Sequence, residues 1–195
     1  MNLLWLGPRN EKIEAFLQRQ PDAVVFWEEE LTMDAPVLFQ KDFVISFGYR
    51  HLLPAPIVQG FAERAINIHI SYLPWNRGAD PNLWSFLENT PKGVTIHRLT
   101  ETLDAGPILC QEKVDLSSEE TLKSSYDILM HAASDLFRLH WPEIKTGAIK
   151  AVPQAGGGSY HRKKDVEPYR HLLRSGWDTP VKDLAGKALC AKGSC

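Results

Sequence analysis

A series of short apolar runs in the first third of the chain places the tightest limit on its fold. The runs are rich in Val, Ile, Leu and Phe, and each is closed by a turn or a polar stretch; they are Asn2–Leu6, Ala23–Trp27, residues 42–47 and Ala65–His69. Continuous apolar runs of this length indicate strands that are covered on both faces, as in parallel sheets. An amphipathic stretch with Ile13, Phe16 and Leu17 at helical spacing follows the first run. The pattern therefore predicts a layered α/β fold with a mostly parallel sheet flanked by helices.

The second half of the chain predicts two further strands and one long helix. Residues 93–99 alternate as a half-buried strand does, and a second strand is expected at 108–114. Ser117 and Glu120 have the spacing of a capping box, which predicts a helix start there. Apolar side chains at helical spacing then continue from residue 122 to about residue 140.

Length, charge and cysteine content exclude several classes of protein. The chain has 195 residues, 44% of them hydrophobic, and a formal net charge of -2. This length predicts one main domain over residues 1–150, followed by an extension at 151–195 that packs or dimerises. No apolar run is long enough for a spanning helix, and the apolar start of the chain, broken by Gly7 and Pro8, predicts a strand and not a signal peptide. The charge gives no attraction to nucleic acid or membranes, and three cysteines without metal-ligand spacing predict a reduced, cytoplasmic setting.

Two polar residues end the fourth apolar run. Period-two geometry places Asn67 and His69 on one face of that strand and Ile68 on the other. In an open α/β sheet, ligands bind at the carboxyl ends of the strands. Asn supplies a donor and an acceptor, and His titrates near neutrality, so the pair could steady an oxyanion and move a proton in acyl transfer. The alternative, a sheet-end Asn beside a buried structural His, stays open on these residues alone.

The pair belongs to a longer pattern. It comprises N-I-H-I-S-Y-L-P from Asn67 to Pro74, R-G-A from Arg77, G-V-T-I from Gly93 and L-D-A-G-P-I from Leu103. In this order and at this spacing, the pattern resembles the folate-dependent formyltransferase family. That family includes glycinamide ribonucleotide formyltransferase, methionyl-tRNA formyltransferase and the formyltransferases that act on nucleotide-linked amino sugars.

The resemblance implies a Rossmann-like sheet, here shortened, and a catalytic triple of Asn67, His69 and Asp104. In the family, a substrate amine attacks the formyl carbon of 10-formyltetrahydrofolate. On that pattern Asn67 and His69 stabilise the tetrahedral oxyanion, while Asp104 holds the imidazole in its protonation state and assists proton transfer. The resemblance also implies a pterin pocket, whose expected residues are Phe47, Gly48, Tyr49, Arg50, His51, Leu52, Leu99, Thr102 and Asp104.

No metal is expected. His69, His97 and Asp104 could be drawn as metal ligands, but His97 alternates with Ile96 in a predicted strand and has no supporting pattern around it. The only small-molecule cofactor implied by the resemblance is therefore 10-formyltetrahydrofolate, as the formyl donor.

The loop after Pro74 and a segment near the C-terminus resemble the amino-sugar branch of the family. Arg77 beside Trp75 could bind a phosphate and stack on a ring. The expected substrate-binding residues are Ser71, Trp75, Asn76, Arg77, Gly78, Tyr160, His161 and Arg162. We therefore expect formyl transfer to the amine of a nucleotide-linked amino sugar, with no nucleic acid or membrane partner and with a homodimer as an option for the extension.

Other acceptors and one other class of function remain open. The acceptor could be another small amine, as in the glycinamide ribonucleotide enzymes, or water, as in formyltetrahydrofolate hydrolysis. The intact triple argues against a folate- or nucleotide-binding module that has lost turnover, and the shortened N-terminal half argues for it.

Overall fold

The described chain contains a six-stranded sheet and a separate two-stranded sheet. The computed structural model describes residues 1–191, with side chains through Leu189, so Cys195 and the side chain of Cys190 lie outside the described residues. The strands in chain order are β1 Asn2–Leu6, β2 Ala23–Trp27, β3 Phe43–Phe47, β4 Ala65–His69, β5 Arg77–Gly78, β6 Gly93–Arg98, β7 Ile108–Lys113 and β8 Tyr160–His161. The larger sheet has the order β2-β1-β3-β4-β6-β7, and β5 pairs with β8.

The strands predicted from the apolar runs are confirmed. β1 pairs in parallel with β2 and with β3, and β3 pairs in parallel with β4. Leu3, Leu4, Trp5 and Leu6 are all 0% exposed, as expected for a strand covered on both faces. The connection from β2 to β3 contains one short 3-10 helix, Pro36–Leu38, where a parallel crossover commonly carries an α-helix.

The α-helices of the described residues are α1 Glu11–Leu17, α2 Ala55–Phe61, α3 Pro81–Leu87, α4 Leu122–Thr146 and α5 Lys187–Ala191. The predicted helix from residue 122 is confirmed, but it continues to Thr146 because the buried stripe continues through Trp141 and Ile144. Pro142 lies inside this helix.

The capping box predicted at Ser117 and Glu120 is wrong. Thr121 caps α4 instead: its Oγ1 accepts a hydrogen bond from the Ser124 backbone N–H at 3.1 Å, and the Ser124 Oγ accepts from the Thr121 N–H at 2.9 Å. Ser117 Oγ accepts from the Glu119 N–H within the preceding turn. The physical reason is position, because only the residue directly before the first helical turn can reach its free N–H groups.

The chain divides into two compact units. The first consists of Met1–His69, Ile96–Cys110 and Ser134–Gln154, and the second of Ile70–Thr95, Gln111–Ala133 and Ala155–Cys195. One buried core cluster of the first unit is formed by Leu4, Leu6, Leu31, Val44, Ile57 and Ala65. The core cluster of the second is formed by Leu83, Trp84, Phe86, Leu87, Leu122, Val166, Val181, Leu184 and Ala188. The domain boundary predicted after residue 150 stays a prediction.

Helices long and apolar enough to cross a membrane do not occur among residues 1–191.

Candidate active site

The two polar residues at the end of β4 meet the carboxylate of Asp104 within the first unit. Asn67 Nδ2 donates a hydrogen bond to Asp104 Oδ1 at 3.1 Å, and His69 Nδ1 lies 3.7 Å from Asp104 Oδ2. His69 and Asp104 are each 7% exposed, so the imidazole and the carboxylate face each other with little water between them. The structure thus brings together the three residues that the sequence pattern selected.

His97 is a fourth member of this cluster. It is 1% exposed, its Nδ1 lies 2.8 Å from the carbonyl oxygen of Arg98, and its Nε2 lies 3.3 Å from Asn67 Nδ2 and 3.5 Å from Asp104 Oδ1. A carbonyl oxygen can only accept, so Nδ1 carries a proton, and in the neutral tautomer that this defines Nε2 accepts from Asn67. Both amide N–H groups of Asn67 are therefore directed at His97 and Asp104, and Asn67 can donate to a ligand only by exchanging one of these bonds.

Asp104 is held in an unusual backbone conformation. Its φ is 52°, in the left-handed region that few residues other than glycine adopt, although Asp tolerates it better than most. Two residues later, a Cβ added to Gly106 would collide with the carbonyl of Arg98, so only glycine fits there. The carbonyl oxygens of Asp104 and Gly106 both accept hydrogen bonds from Gln154 Nε2, at 2.7 and 2.9 Å.

The residues expected to line a pterin pocket fall on two segments of the first unit. The segment after β3 begins with Phe47, which is 3% exposed, and Gly48, whose φ of 68° turns the chain. Tyr49 donates from its hydroxyl to the Glu29 carbonyl at 2.7 Å, and burial raises the pKa of this hydroxyl. The remaining expected residues of this segment are Arg50, His51 and Leu52, all of which are exposed.

The second pterin segment is the turn that carries Asp104. Leu99 is half-buried and Thr102 is exposed, and the Thr102 carbonyl accepts from Thr100 Oγ1 at 2.9 Å. Leu103, which precedes Asp104 in sequence, leaves 41% of its surface exposed. Irregular backbone with exposed apolar side chains is what a flat heterocycle with polar edges requires.

The residues expected to bind the acceptor gather in the second unit around β5 and β8. These strands pair in parallel, with Arg77 opposite Tyr160 and Gly78 opposite His161. Gly78 has a φ of 89°, and a Cβ there would collide with the His161 carbonyl, so the close pairing depends on this glycine. The sequence pattern thus selected two segments, far apart in the chain, that the fold brings together.

Two of these residues use their side chains inside the protein. Ser71 is 2% exposed and its hydroxyl donates to the Trp75 carbonyl at 2.5 Å. Asn76 is 0% exposed, and its Oδ1 accepts from Thr90 Oγ1 at 2.7 Å. These contacts shape the loop from within, while Trp75 itself is 36% exposed.

His161 is also buried, whereas its neighbours in sequence face outward. Its Nε2 lies 3.1 Å from Glu88 Oε2, and its ring stacks on that of Trp84 at 3.7 Å between centroids and 4° between planes. Tyr160 is 47% exposed, and Arg162 is exposed as well. The strand therefore alternates, with His161 anchoring it and the residues on either side available to a ligand.

Arg77 carries a guanidinium that the protein does not fully satisfy. It is partly exposed, and its Nε is buried without a hydrogen-bond partner in the part of the chain that the structure describes. A buried N–H of a charged group without an acceptor is energetically unfavourable. Groups of three or more His, Cys, Asp or Glu side chains that could hold a metal do not occur among the described residues.

Residues 18–139 match the formyl transferase family. The chain belongs to this family. Among its solved relatives, the formyltransferase PseJ from Anoxybacillus kamchatkensis is 48% identical and has a TM-score of 0.94, covering 96% of this chain and 100% of that one. PseJ was crystallised in complex with UDP-4,6-dideoxy-4-formamido-L-AltNAc and tetrahydrofolate.

Two further formyltransferases resemble this chain at lower identity. The dTDP-4-amino-4,6-dideoxyglucose formyltransferase of Mycobacterium tuberculosis is 33% identical over 138 residues, covering 71% of this chain. The match spans only 58% of that relative's length. A 4-N formyltransferase from Francisella tularensis is 20% identical and has a TM-score of 0.78, and the match covers 86% of this chain and 78% of that chain. The two proteins share the fold.

Two residues that contact the Asn67 and Asp104 cluster are not found by sequence patterns alone. His97 is considered above only as a metal ligand, although its alternation with Ile96 already places a polar ring on one face of β6. Gln154 gives no signal, because the 50 residues between it and Asp104 contain no local pattern that connects them. Both positions depend on which strands are neighbours, which only the tertiary structure decides.

Proposed function

We propose that this protein transfers the formyl group of 10-formyltetrahydrofolate to the amine of a nucleotide-linked amino sugar. The convergence of Asn67, His69 and Asp104 in one buried cluster carries the proposal. The likeness to PseJ over almost the whole chain supports the class of acceptor. The proposal thus includes formyl transfer as the activity, 10-formyltetrahydrofolate as the donor and a nucleotide-linked amino sugar as the acceptor.

The pterin segments of the first unit fit a folate. Leu52 and Leu103 offer exposed apolar surface, at 73% and 41% exposure, against which a flat heterocycle can pack. When bound, 10-formyltetrahydrofolate supplies a carbonyl carbon that the acceptor amine can attack, with the folate nitrogen N10 as the leaving group.

The residues of the triple then have separate tasks. The Asp104 carboxylate lies 3.7 Å from His69 Nδ1 and orients the ring, so that an N–H at Nε2 can donate to the negative charge that develops on the formyl oxygen. Asn67 can add a second donor by giving up its 3.3 Å bond to His97, the longer of its two. The amine must lose a proton as the new C–N bond forms, and the Asp104 carboxylate is the acceptor best placed to receive it, directly or through water. Asp104 then returns this proton to N10 as the C–N10 bond breaks.

The β5–β8 pair of the second unit fits a nucleoside diphosphate. Arg77 offers a guanidinium with an unused Nε, which suits a phosphate because the guanidinium donates in a fixed fork. Trp75 and Tyr160 are exposed aromatic rings on the same strand pair and its loop, and such rings stack on bases or sugars.

Two titrations by calorimetry test the proposal, one with the stable donor analogue 5-formyltetrahydrofolate and one with UDP or dTDP. The wild-type protein should bind both. Arg77→Ala should weaken nucleotide binding by about 1.5–3 kcal/mol, the range for hydrogen bonds to charged groups, and leave folate binding unchanged. Arg174→Ala, which removes an exposed arginine of the same unit, is the matched control and should change neither affinity.

Turnover with a UDP-linked 4-amino-4,6-dideoxy sugar completes the test. If the wild-type protein binds folate but no nucleotide, the sugar-nucleotide acceptor is wrong. Release of tetrahydrofolate and formate without any acceptor would instead identify a hydrolase. The homodimer and the cytoplasmic setting remain predictions, and light scattering of the purified protein tests the first.

A further inference from the structure

We propose that Gln154 is a positioning residue for Asp104, because it holds the turn over residues 104–106 in the conformation that directs the carboxylate at Asn67 and His69. The assay for this role rests on the proposed function, but the role itself is argued from contacts within the first unit.

The side-chain amide of Gln154 joins the two ends of the turn. Its Nε2 donates to the Asp104 carbonyl at 2.7 Å and to the Gly106 carbonyl at 2.9 Å. A primary amide nitrogen has two N–H groups, and both N–H groups of Gln154 donate to this turn. Ala105 lies between the two carbonyls, and its conformation is thereby fixed as well.

The turn needs such a support. The left-handed φ of 52° at Asp104 is unfavourable for any side-chain-bearing residue and persists only when its surroundings impose it. Packing supplies little support on one side, since Thr102 is exposed and Leu103 is 41% exposed. The contact of Gly106 with the Arg98 backbone fixes one end of the turn, and Gln154 ties the other end to it.

The chain delivers Gln154 to this place through a short pairing with β7. Val152 and Ile108 form an antiparallel bridge with two backbone hydrogen bonds of 2.8 Å each. Two residues beyond Val152, the side chain of Gln154 reaches the turn that precedes β7.

The other end of the Gln154 amide argues against a role in packing alone. Its Oε1 is buried and has no hydrogen-bond partner among the described residues. A buried carbonyl without a donor is unfavourable, so an apolar side chain of similar volume would pack at this position with less penalty. The N–H groups are therefore what the position requires, and Oε1 is left to accept from water or from a ligand.

The test compares two substitutions of nearly equal size. Gln154→Met removes both donors, and Gln154→Glu removes them while its carboxylate is ionised but regains one when the carboxyl is protonated. Gln18→Glu makes the same charge change at an exposed position next to α1 and is the control. For each protein, kcat and both KM values are measured with 10-formyltetrahydrofolate and a UDP-linked 4-amino-4,6-dideoxy sugar, from neutral pH down to about pH 5.5.

We expect Gln154→Met to lower kcat between about tenfold and a hundredfold, the effect of a catalytic group displaced by a fraction of an ångström to an ångström. The KM of the sugar nucleotide should stay within about twofold of wild type, because its expected residues lie in the other unit. For Gln154→Glu, the ratio of its kcat to that of the wild type should rise as the pH falls and the donor returns. Gln18→Glu should match the wild type throughout.

Three results would overturn the role. The first is a Gln154→Met protein with wild-type kcat, and the second is a loss confined to the KM of the sugar nucleotide. The third is a ratio of the Gln154→Glu kcat to the wild-type kcat that does not rise as the pH falls. This third measurement tests the role even if Gln154→Met does not fold. If the wild-type protein shows no turnover, the proposed function is wrong, and this result does not bear on Gln154. The role of Gln154 in the turn is then tested by 5-formyltetrahydrofolate binding, which should be weaker in both Gln154→Met and Gln154→Glu than in the wild type.

Discussion

For the buried pair of His161 and Glu88, we predict that substituting one partner lowers the stability of the protein far more than substituting the other. Their side chains are 8% and 7% exposed, 3.1 Å apart, and covered on one side by the ring of Trp84. We compare His161→Phe, which keeps an aromatic ring in the stack, with Glu88→Gln, which keeps an oxygen within reach of the imidazole.

The two substitutions should lower the free energy of unfolding by different amounts, because only His161→Phe leaves a buried carboxylate behind. After His161→Phe, the Glu88 carboxylate remains buried without its imidazole partner, and breaking a buried pair in this way costs about 3–5 kcal/mol. After Glu88→Gln, no carboxylate remains in the pair and the amide can still hydrogen-bond to the imidazole, so the loss should be about 1 kcal/mol. Protonating the carboxylate removes the buried charge, and the deficit of His161→Phe should therefore narrow as the pH falls toward about 4.

Urea unfolding followed by circular dichroism measures both free energies of unfolding. The control is His140→Phe, since His140 lies 3.6 Å from Glu143 in a partly exposed pair, with side-chain exposures of 28% and 61%, and such a pair contributes at most about 1 kcal/mol. Equal losses for His161→Phe and Glu88→Gln would refute the reasoning, as would a His161→Phe deficit that does not change with pH. Because His161 also anchors β8 against β5, the His161→Phe protein should bind UDP more weakly than wild type.

Three further predictions concern the two units separately. Substituting alanine for Asn67, His69 or Asp104 should lower kcat by at least about a hundredfold in the formyl-transfer assay, while the circular dichroism spectrum of each variant stays that of a folded protein. Near-normal turnover would contradict a catalytic role for the substituted residue. Gly78→Ala should weaken UDP binding at least about tenfold in calorimetry, because a Cβ collides with the neighbouring strand, and unchanged affinity would contradict the close pairing. Burial raises the pKa of the Cys110 thiol to about 12, so the thiol stays protonated at pH 8 and iodoacetamide should alkylate it far more slowly than in the urea-unfolded chain; equal rates by mass spectrometry would contradict this.

The sequence by itself determined the six strands of the larger sheet, α1, α4 and part of the site. Short apolar runs specified β1 to β4, because a strand covered on both faces has no polar side to interrupt it. The period of two was enough to place Asn67 and His69 on one face of β4. The order and spacing of the motifs added Asp104 and the Arg77 loop, and the structure confirms that Asn67, His69 and Asp104 meet.

Only the tertiary structure decided which distant residues complete that site. His97 joins Asn67 because β6 lies beside β4, and Gln154 reaches Asp104 because Val152 pairs with Ile108. His161 lies opposite Gly78 and its ring contacts Glu88 and Trp84, and its expected contact with the acceptor stays a prediction. The physical reason is common to all three: side-chain periodicity is a local property of the backbone, while the choice of strand neighbours and their register is settled by packing between segments far apart in the chain.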